Sequence, residues 1–159
     1  VTTAMGVKAT GEPERDLWQT PSYILFAIRS FFPRMFDPCP SGYTLDAFRE
    51  DAPLLEGLQL YINPPFSQYL KWAKHFAPMP HEQIWMMHHT HDSQWSRLLW
   101  DRASAACLLK KRVHFINPET GQRSQRTAYG KCQTLLYIGE RNSAFQKAFR
   151  ELGRIVLTV

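Results

Sequence analysis

Two consecutive prolines, Pro64 and Pro65, stand one residue beyond the apolar run Leu58-Gln59-Leu60-Tyr61-Ile62. A run of this kind reads as a buried strand, whereas proline can neither donate a ladder hydrogen bond nor stay in a central strand. The strand must therefore end at Asn63, and the chain has to leave the sheet through a rigid turn. Earlier in the chain, Pro21 opens the segment Ser22 to Phe32, where Ile24, Leu25, Ile28 and Phe31/Phe32 recur at helical spacing until Pro33 stops it. A short strand, Arg34 to Phe36, then runs into Asp37-Pro38-Cys39-Pro40-Ser41-Gly42, whose turn residues can continue neither strand nor helix.

The same alternation continues downstream. Ser67 to Phe76 reads as a helix, Ile84-Trp85-Met86-Met87 as a buried strand, and Ser93 to Arg102 as a helix with Trp95, Leu98 and Leu99 on one face. Ala106-Cys107-Leu108-Leu109 and Val113-His114-Phe115 are short apolar pieces. A polar loop spans Asn117 to Gly130, and Thr134-Leu135-Leu136-Tyr137-Ile138 is the clearest strand near the C-terminus. Helix Ala144 to Leu152 and strand Arg154 to Val159 follow. Alternating strands and helices predict an α/β domain with a mostly parallel sheet and helices on both faces. In such sheets ligands bind beyond the carboxyl ends of the strands, where Asp37 and Asn63 both fall.

The 159 residues suit one domain, with residues 1–15 expected to form a flexible N-terminal arm and 16–159 the folded unit. No apolar run approaches the roughly 18 residues of a membrane span, and no charged leader with an apolar stretch opens the chain. Cys39, Cys107 and Cys132 are odd in number and lack CxxC spacing, which suits a reducing cytoplasm better than a disulfide framework or zinc ribbon. Net charge is +5, and its distribution is more telling than its size. Arg102, Lys110, Lys111, Arg112, Arg123, Arg126 and Lys131 share one stretch with a single acid, Glu119. Lys110, Lys111, Arg112, Arg123, Arg126 and Lys131 are the candidate phosphate contacts, with Gln122, Gln125 and Tyr129 available for base edges.

Asn63-Pro64-Pro65-Phe66 resembles the (Asn/Asp/Ser)-Pro-Pro-(Tyr/Phe) tetrapeptide of amino-methyltransferases. The chemistry explains the residue types. An exocyclic amino nitrogen is a poor nucleophile because its lone pair is delocalised into the ring. If the Asn63 side-chain oxygen and the Pro64 carbonyl accept its two N–H bonds, the nitrogen is drawn toward tetrahedral geometry and its lone pair becomes available for attack. The prolines hold the acceptors rigid, and Phe66 offers a face on which an extruded base can stack.

Two further elements precede this one. Trp18-Gln19-Thr20-Pro21 before an amphipathic helix is similar to the Thr-Pro element of adenine methyltransferases, where the helix N-terminus and the Thr hydroxyl receive the cofactor's methionine carboxylate. Phe36-Asp37-Pro38-Cys39-Pro40-Ser41-Gly42 is similar to their Asp-Pro-Phe-x-Gly-x-Gly cofactor loop, with the glycine pattern altered around Pro40 and Tyr43 in place of the second glycine. Together with Lys111-Arg112-Val113-His114-Phe115, these pieces resemble the phage-type Dam-like DNA N6-adenine methyltransferase family from Asp16 to about Gly139. The resemblance implies a Rossmann-like methyltransferase sheet, S-adenosylmethionine as methyl donor, no metal, and base flipping of adenine in DNA. It implies Asn63, Pro64, Pro65 and Phe66 as the catalytic group. Trp18, Thr20, Pro21, Asp37, Pro38 and Cys39 would hold the cofactor.

So small a chain has few side chains left for reading bases, which predicts a short or relaxed target sequence; the resemblance implies a bacterial or phage-infected cytoplasm, and the chain is expected to act as a monomer or homodimer. Two rivals stand beside this reading. The altered glycines fit a catalytically inactive methyltransferase fold that binds nucleic acid or protein. The cluster His88-His89-Thr90-His91-Asp92 would suit a zinc enzyme if His89 and His91 shared a strand face.

Overall fold

A computed structural model describes residues 18–39, 56–123 and 132–158, and these form a mixed α/β domain. Helix α1 (Ser22–Phe31) leads into the two-residue strand β1 (Met35–Phe36), and β2 (Gln59–Ile62) follows. After a 3-10 turn (Phe66–Gln68) come α2 (Tyr69–Phe76), β3 (Gln83–His88), α3 (Gln94–Trp100) and β4 (Ala105–Leu109). The order closes with β5 (Gln133–Ile138), α4 (Asn142–Phe149) and β6 (Gly153–Leu157). The helix expected from Ser67 thus begins as a 3-10 turn, and Val113–Phe115 joins the core without becoming a sheet strand.

Across the sheet the strands lie in the order β1-β2-β3-β5-β4-β6. Pairs β1–β2 and β2–β3 are parallel, whereas β3–β5, β4–β5 and β4–β6 are antiparallel. The expectation of a mostly parallel sheet is therefore corrected to a mixed one. The physical reason lies in the connections. Strands joined through α2, α3 or α4 run in the same direction, because a helix carries the chain back to the edge from which the preceding strand began. The described part of the β4–β5 connection holds no helix, so β5 starts where β4 ended and runs back between β3 and β4.

The strand pleat sends alternate side chains to opposite faces. On one face, Tyr61, Ile84, Met86, Ala105, Cys107, Leu135 and Tyr137 meet Ile24, Ile28 and Phe31 of α1 and Phe145 and Phe149 of α4. Leu60, Ile62, Trp85, Met87, Ala106 and Leu136 meet Trp72 and Phe76 of α2 and Leu99 of α3 on the other. Helices do cover both faces, as the alternation implied. Ser93 caps α3 by accepting from the Ser96 amide.

The edge opposite the strand carboxyl ends is closed by Glu82. It accepts from Gln59 Nε2 (2.7 Å), Tyr137 OH (2.5 Å) and both Nε and Nη2 of Arg141 (2.8 and 2.9 Å). The Arg141 guanidinium also lies 4.3 Å from the Phe31 ring centroid. Burial acts to raise the Glu82 pKa, but hydrogen bonds from Arg141, Tyr137 and Gln59 outweigh it and hold the carboxyl below its ordinary value. We expect Glu82→Ala to cost about 1–3 kcal/mol in urea unfolding at neutral pH, since three donors lose an ionised acceptor. A depressed carboxyl pKa contributes stability above the unfolded value, so the difference from wild type should shrink as pH falls below about 4.

Candidate active site

Because β1, β2 and β3 are parallel, Asp37, Asn63 and His89 all emerge at one sheet edge. Strand β4 runs the same way and delivers Lys110, Lys111 and Arg112 there, while β5 starts at that edge with Gln133 beside His88. The segment Trp18–Pro21 reaches the same place, as α1 runs from there back toward the start of β1.

At the centre is a chain of three side chains. Tyr61 and Asn63, two residues apart, face the α1 side, where Thr20 lies between them. Thr20 Oγ1 is 2.5 Å from the Tyr61 hydroxyl and accepts from Asn63 Nδ2 at 3.2 Å. Thr20 and Tyr61 are buried and Asn63 is half-buried. With its nitrogen end turned to Thr20, Asn63 has its Oδ1 free among the described residues. Burial drives the Tyr61 phenol pKa upward, so it remains protonated.

Pro64 and Pro65 are buried, and the Pro65 carbonyl accepts from the Gln68 amide (2.9 Å) to start the 3-10 turn. Phe66 is half-buried. Its ring stacks on His88 (centroids 4.5 Å apart, planes 27° apart) and meets Phe115 edge-on at 6.2 Å. His88 is held in turn by Gln133, with Nε2 of the amide 2.9 Å from its Nδ1. Thus Phe66 is braced by a ring from β3 and by the Val113–Phe115 segment.

Asp37 sits at the end of β1 beside Tyr61. Its Oδ1 accepts from the Cys39 amide (2.8 Å), which folds the turn back through buried Pro38. Burial pushes the carboxyl pKa up to about 6, against the opposing effects of the Cys39 N–H and the Arg29 charge. Cys39 is half-buried against the α2-side core, and Trp18 against the α1-side core. At the start of α1, Pro21 is the N-cap, its carbonyl accepts from the Ile24 and Leu25 amides, and the first turn carries no acid.

The basic segment is tied to this entry strand. Gln19 and Ile116 exchange backbone hydrogen bonds (2.8 and 2.9 Å), and Ile116 also bridges to Arg123. Val113 and Phe115 are buried while Lys110, Lys111, Arg112 and Arg123 are exposed. The turn Asn117–Gln122 is closed by the Asn117 amide donating to the Gln122 carbonyl (2.8 Å), with Gly121 at φ 68°. Arg126 and Lys131 lie outside the described residues, as do Gln125, Tyr129 and Pro40.

The histidine cluster is arranged otherwise than the zinc reading requires. Strand β3 ends at His88, so His89 and His91 lie beyond it and do not share a strand face. The His89 Nδ1 is 3.1 Å from Thr134 Oγ1. Among the described residues no group of three or more His, Cys, Asp or Glu side chains is placed to hold a metal ion. Nor is any helix among them long and apolar enough to cross a membrane. Sequence reasoning passed over Gln133, since a strand begun at Thr134 leaves it outside. The available signal was a lone glutamine opening an otherwise apolar strand.

In a comparison with known families, the family described as DNA N-6-adenine-methyltransferase (Dam) matches residues 8–152, most of the chain. No curated protein and no solved structure matches.

Proposed function

The chain belongs to the DNA N-6-adenine-methyltransferase (Dam) family, and from that premise we propose that it methylates the N6 amino group of adenine in DNA. The observation that carries the reading is the placement of Asn63-Pro64-Pro65-Phe66 at the carboxyl end of β2, with the Asn63 amide turned so that its oxygen faces away from Thr20. S-adenosylmethionine supplies an electrophilic methyl group when bound. The donor set suits it, with an anionic Asp37 for a cationic or hydroxyl-bearing group and an acid-free first turn of α1 for a carboxylate. Trp18, Pro21, Asp37, Pro38 and Cys39 are the residues proposed to hold it, in a Rossmann-like domain.

In this reading the Asn63 oxygen and the Pro64 carbonyl accept the two N–H bonds of the target amine and localise its lone pair for attack. Adenine reaches them by leaving the duplex and stacking on Phe66, whose other contacts with His88 and Phe115 keep the ring from yielding. The methylated nitrogen, cationic on transfer, gives up one proton to solvent water. Lys110, Lys111, Arg112 and Arg123 grip phosphates beside the same edge, which leaves few groups for base edges and favours a short or relaxed target sequence.

Mass spectrometry of nucleosides from DNA incubated with the protein and S-adenosylmethionine tests the reading, with N6-methyl-2′-deoxyadenosine expected. A protein that fails to bind the cofactor at millimolar concentration would instead be a non-catalytic member of the family. The phosphate contacts have their own test. Lys111→Ala with Arg123→Ala should weaken DNA binding and lower the slope of log affinity against log salt by about 0.9 for each phosphate that is no longer neutralised. Unchanged affinity and slope would mean that this segment faces away from DNA.

A further inference from the structure

Thr20 was expected to meet the cofactor, yet its hydroxyl is taken up on the protein side by two other groups. From the Tyr61–Thr20–Asn63 chain we infer that Thr20 is a positioning residue that selects which end of the Asn63 amide faces the substrate, with Tyr61 as its anchor. The inference rests on the proposed methyl transfer and deepens it.

An asparagine amide presents an acceptor at one end and two donors at the other, and rotation by half a turn exchanges them. Only the oxygen end can accept an N–H from adenine, so a freely rotating Asn63 would spend part of its time offering the wrong group. Thr20 Oγ1 resolves this by accepting from Asn63 Nδ2, and it has no proton to offer the amide oxygen when its own is donated to Tyr61. Tyr61 is 1% exposed, and Thr20 is the hydrogen-bond partner of its hydroxyl at 2.5 Å. Either hydroxyl can be the donor of that bond, and it is a Thr20 proton directed at Tyr61 that leaves Thr20 only lone pairs toward Asn63. The threonine oxygen then gives its one proton to Tyr61 and receives a hydrogen from Asn63 Nδ2. The Asn63 nitrogen is held inward and Oδ1 is turned out.

Geometry makes the arrangement stiff. Tyr61 belongs to the core and to β2, paired with Ile84 of β3, so the anchor cannot drift. Thr20 is fixed from both sides, by Pro21 at the start of α1 and by the Gln19–Ile116 backbone bonds. That second tether also joins the amide's positioning to the segment that carries Arg112 and Arg123.

The test compares Thr20→Val, Thr20→Ser and Tyr61→Phe, alone and with Asn63→Ala, by steady-state kinetics and by calorimetric titration of S-adenosylmethionine. Thr20→Val, which keeps shape and removes the hydroxyl, should lower kcat roughly tenfold while cofactor Kd and DNA KM stay within about twofold. Thr20→Ser should restore most of the rate. In the Asn63→Ala background Thr20→Val should cost nothing further, because a residue acting only through Asn63 has nothing left to position. Losses that multiply in the double variant, a Thr20→Ser as poor as Thr20→Val, or a loss in cofactor affinity with kcat retained would overturn the inference. The last of these would return Thr20 to the cofactor. A nuclear magnetic resonance readout stands apart from catalysis: the Asn63 side-chain amide protons should be slowed in exchange in wild type and Thr20→Ser, and not in Thr20→Val. If no methyl transfer occurs in wild type, the proposed function fails while that measurement still decides the positioning. Equal exchange in all three proteins would refute it.

Discussion

Asn63→Ala is expected to lower kcat for adenine methylation by at least about 100-fold, the scale seen when one group that stabilises developing charge is removed. The loss should fall on kcat rather than on cofactor Kd. In the proposed reaction Asn63 accepts from the amine most strongly when nitrogen carries positive charge in the transition state, and its described hydrogen bond is to Thr20. The fold should be undisturbed, since Asn63 is half-buried, lies past the end of β2 and gives up one 3.2 Å bond. Single-turnover kinetics with titration of S-adenosylmethionine is the measurement. Parallel losses in rate and cofactor affinity would assign Asn63 to the cofactor.

Asp37→Asn should separate stability from binding in opposite directions. The Asp37 carboxyl is pushed up to about 6 by burial, so its ionised form is disfavoured in the folded chain. A raised folded pKa means that the group favours the folded state at low pH and that this contribution disappears as pH rises from the unfolded value of about 4 through 6. Asparagine keeps an oxygen for the Cys39 amide and carries no charge. The variant should therefore be more stable than wild type by about 1–2 kcal/mol above pH 6, with the gain vanishing near pH 4. Cofactor binding should move the other way. Removing a charge-assisted hydrogen bond should weaken S-adenosylmethionine by roughly 10- to 100-fold at pH 8, and wild-type affinity should itself decline as pH falls through about 6. Thermal unfolding and calorimetry on both proteins across this range give the two numbers. Equal cofactor affinity in the two proteins would remove Asp37 from the binding site.

Most elements begin and end within a residue or two of where the sequence places them, because those signals are local; α4 is the exception, ending at Phe149 rather than Leu152. Pro33 and Pro64-Pro65 stop what precedes them, Ser93 caps α3, and the spacing of Ile24, Ile28 and Phe31 marks the inward face of α1. That Asp37 and Asn63 share an edge also followed from sequence, since both fall at the carboxyl ends of strands in an alternating α/β sheet. Period-two alternation even places Tyr61 and Asn63 on one side of β2.

Tertiary structure alone decided what meets those faces. Residue spacing specifies a buried face but not its partner, so neither the Thr20–Asn63 contact across 43 positions nor the stacking of Phe66 on His88 is written in any local pattern. The direction of β5 was equally hidden: an apolar strand pairs well in either sense, and only the route of the chain from β4 settles that it returns between β3 and β4. That return places Gln133 against His88 and so fixes the ring that braces Phe66, a long-range consequence of how the chain passes from β4 to β5.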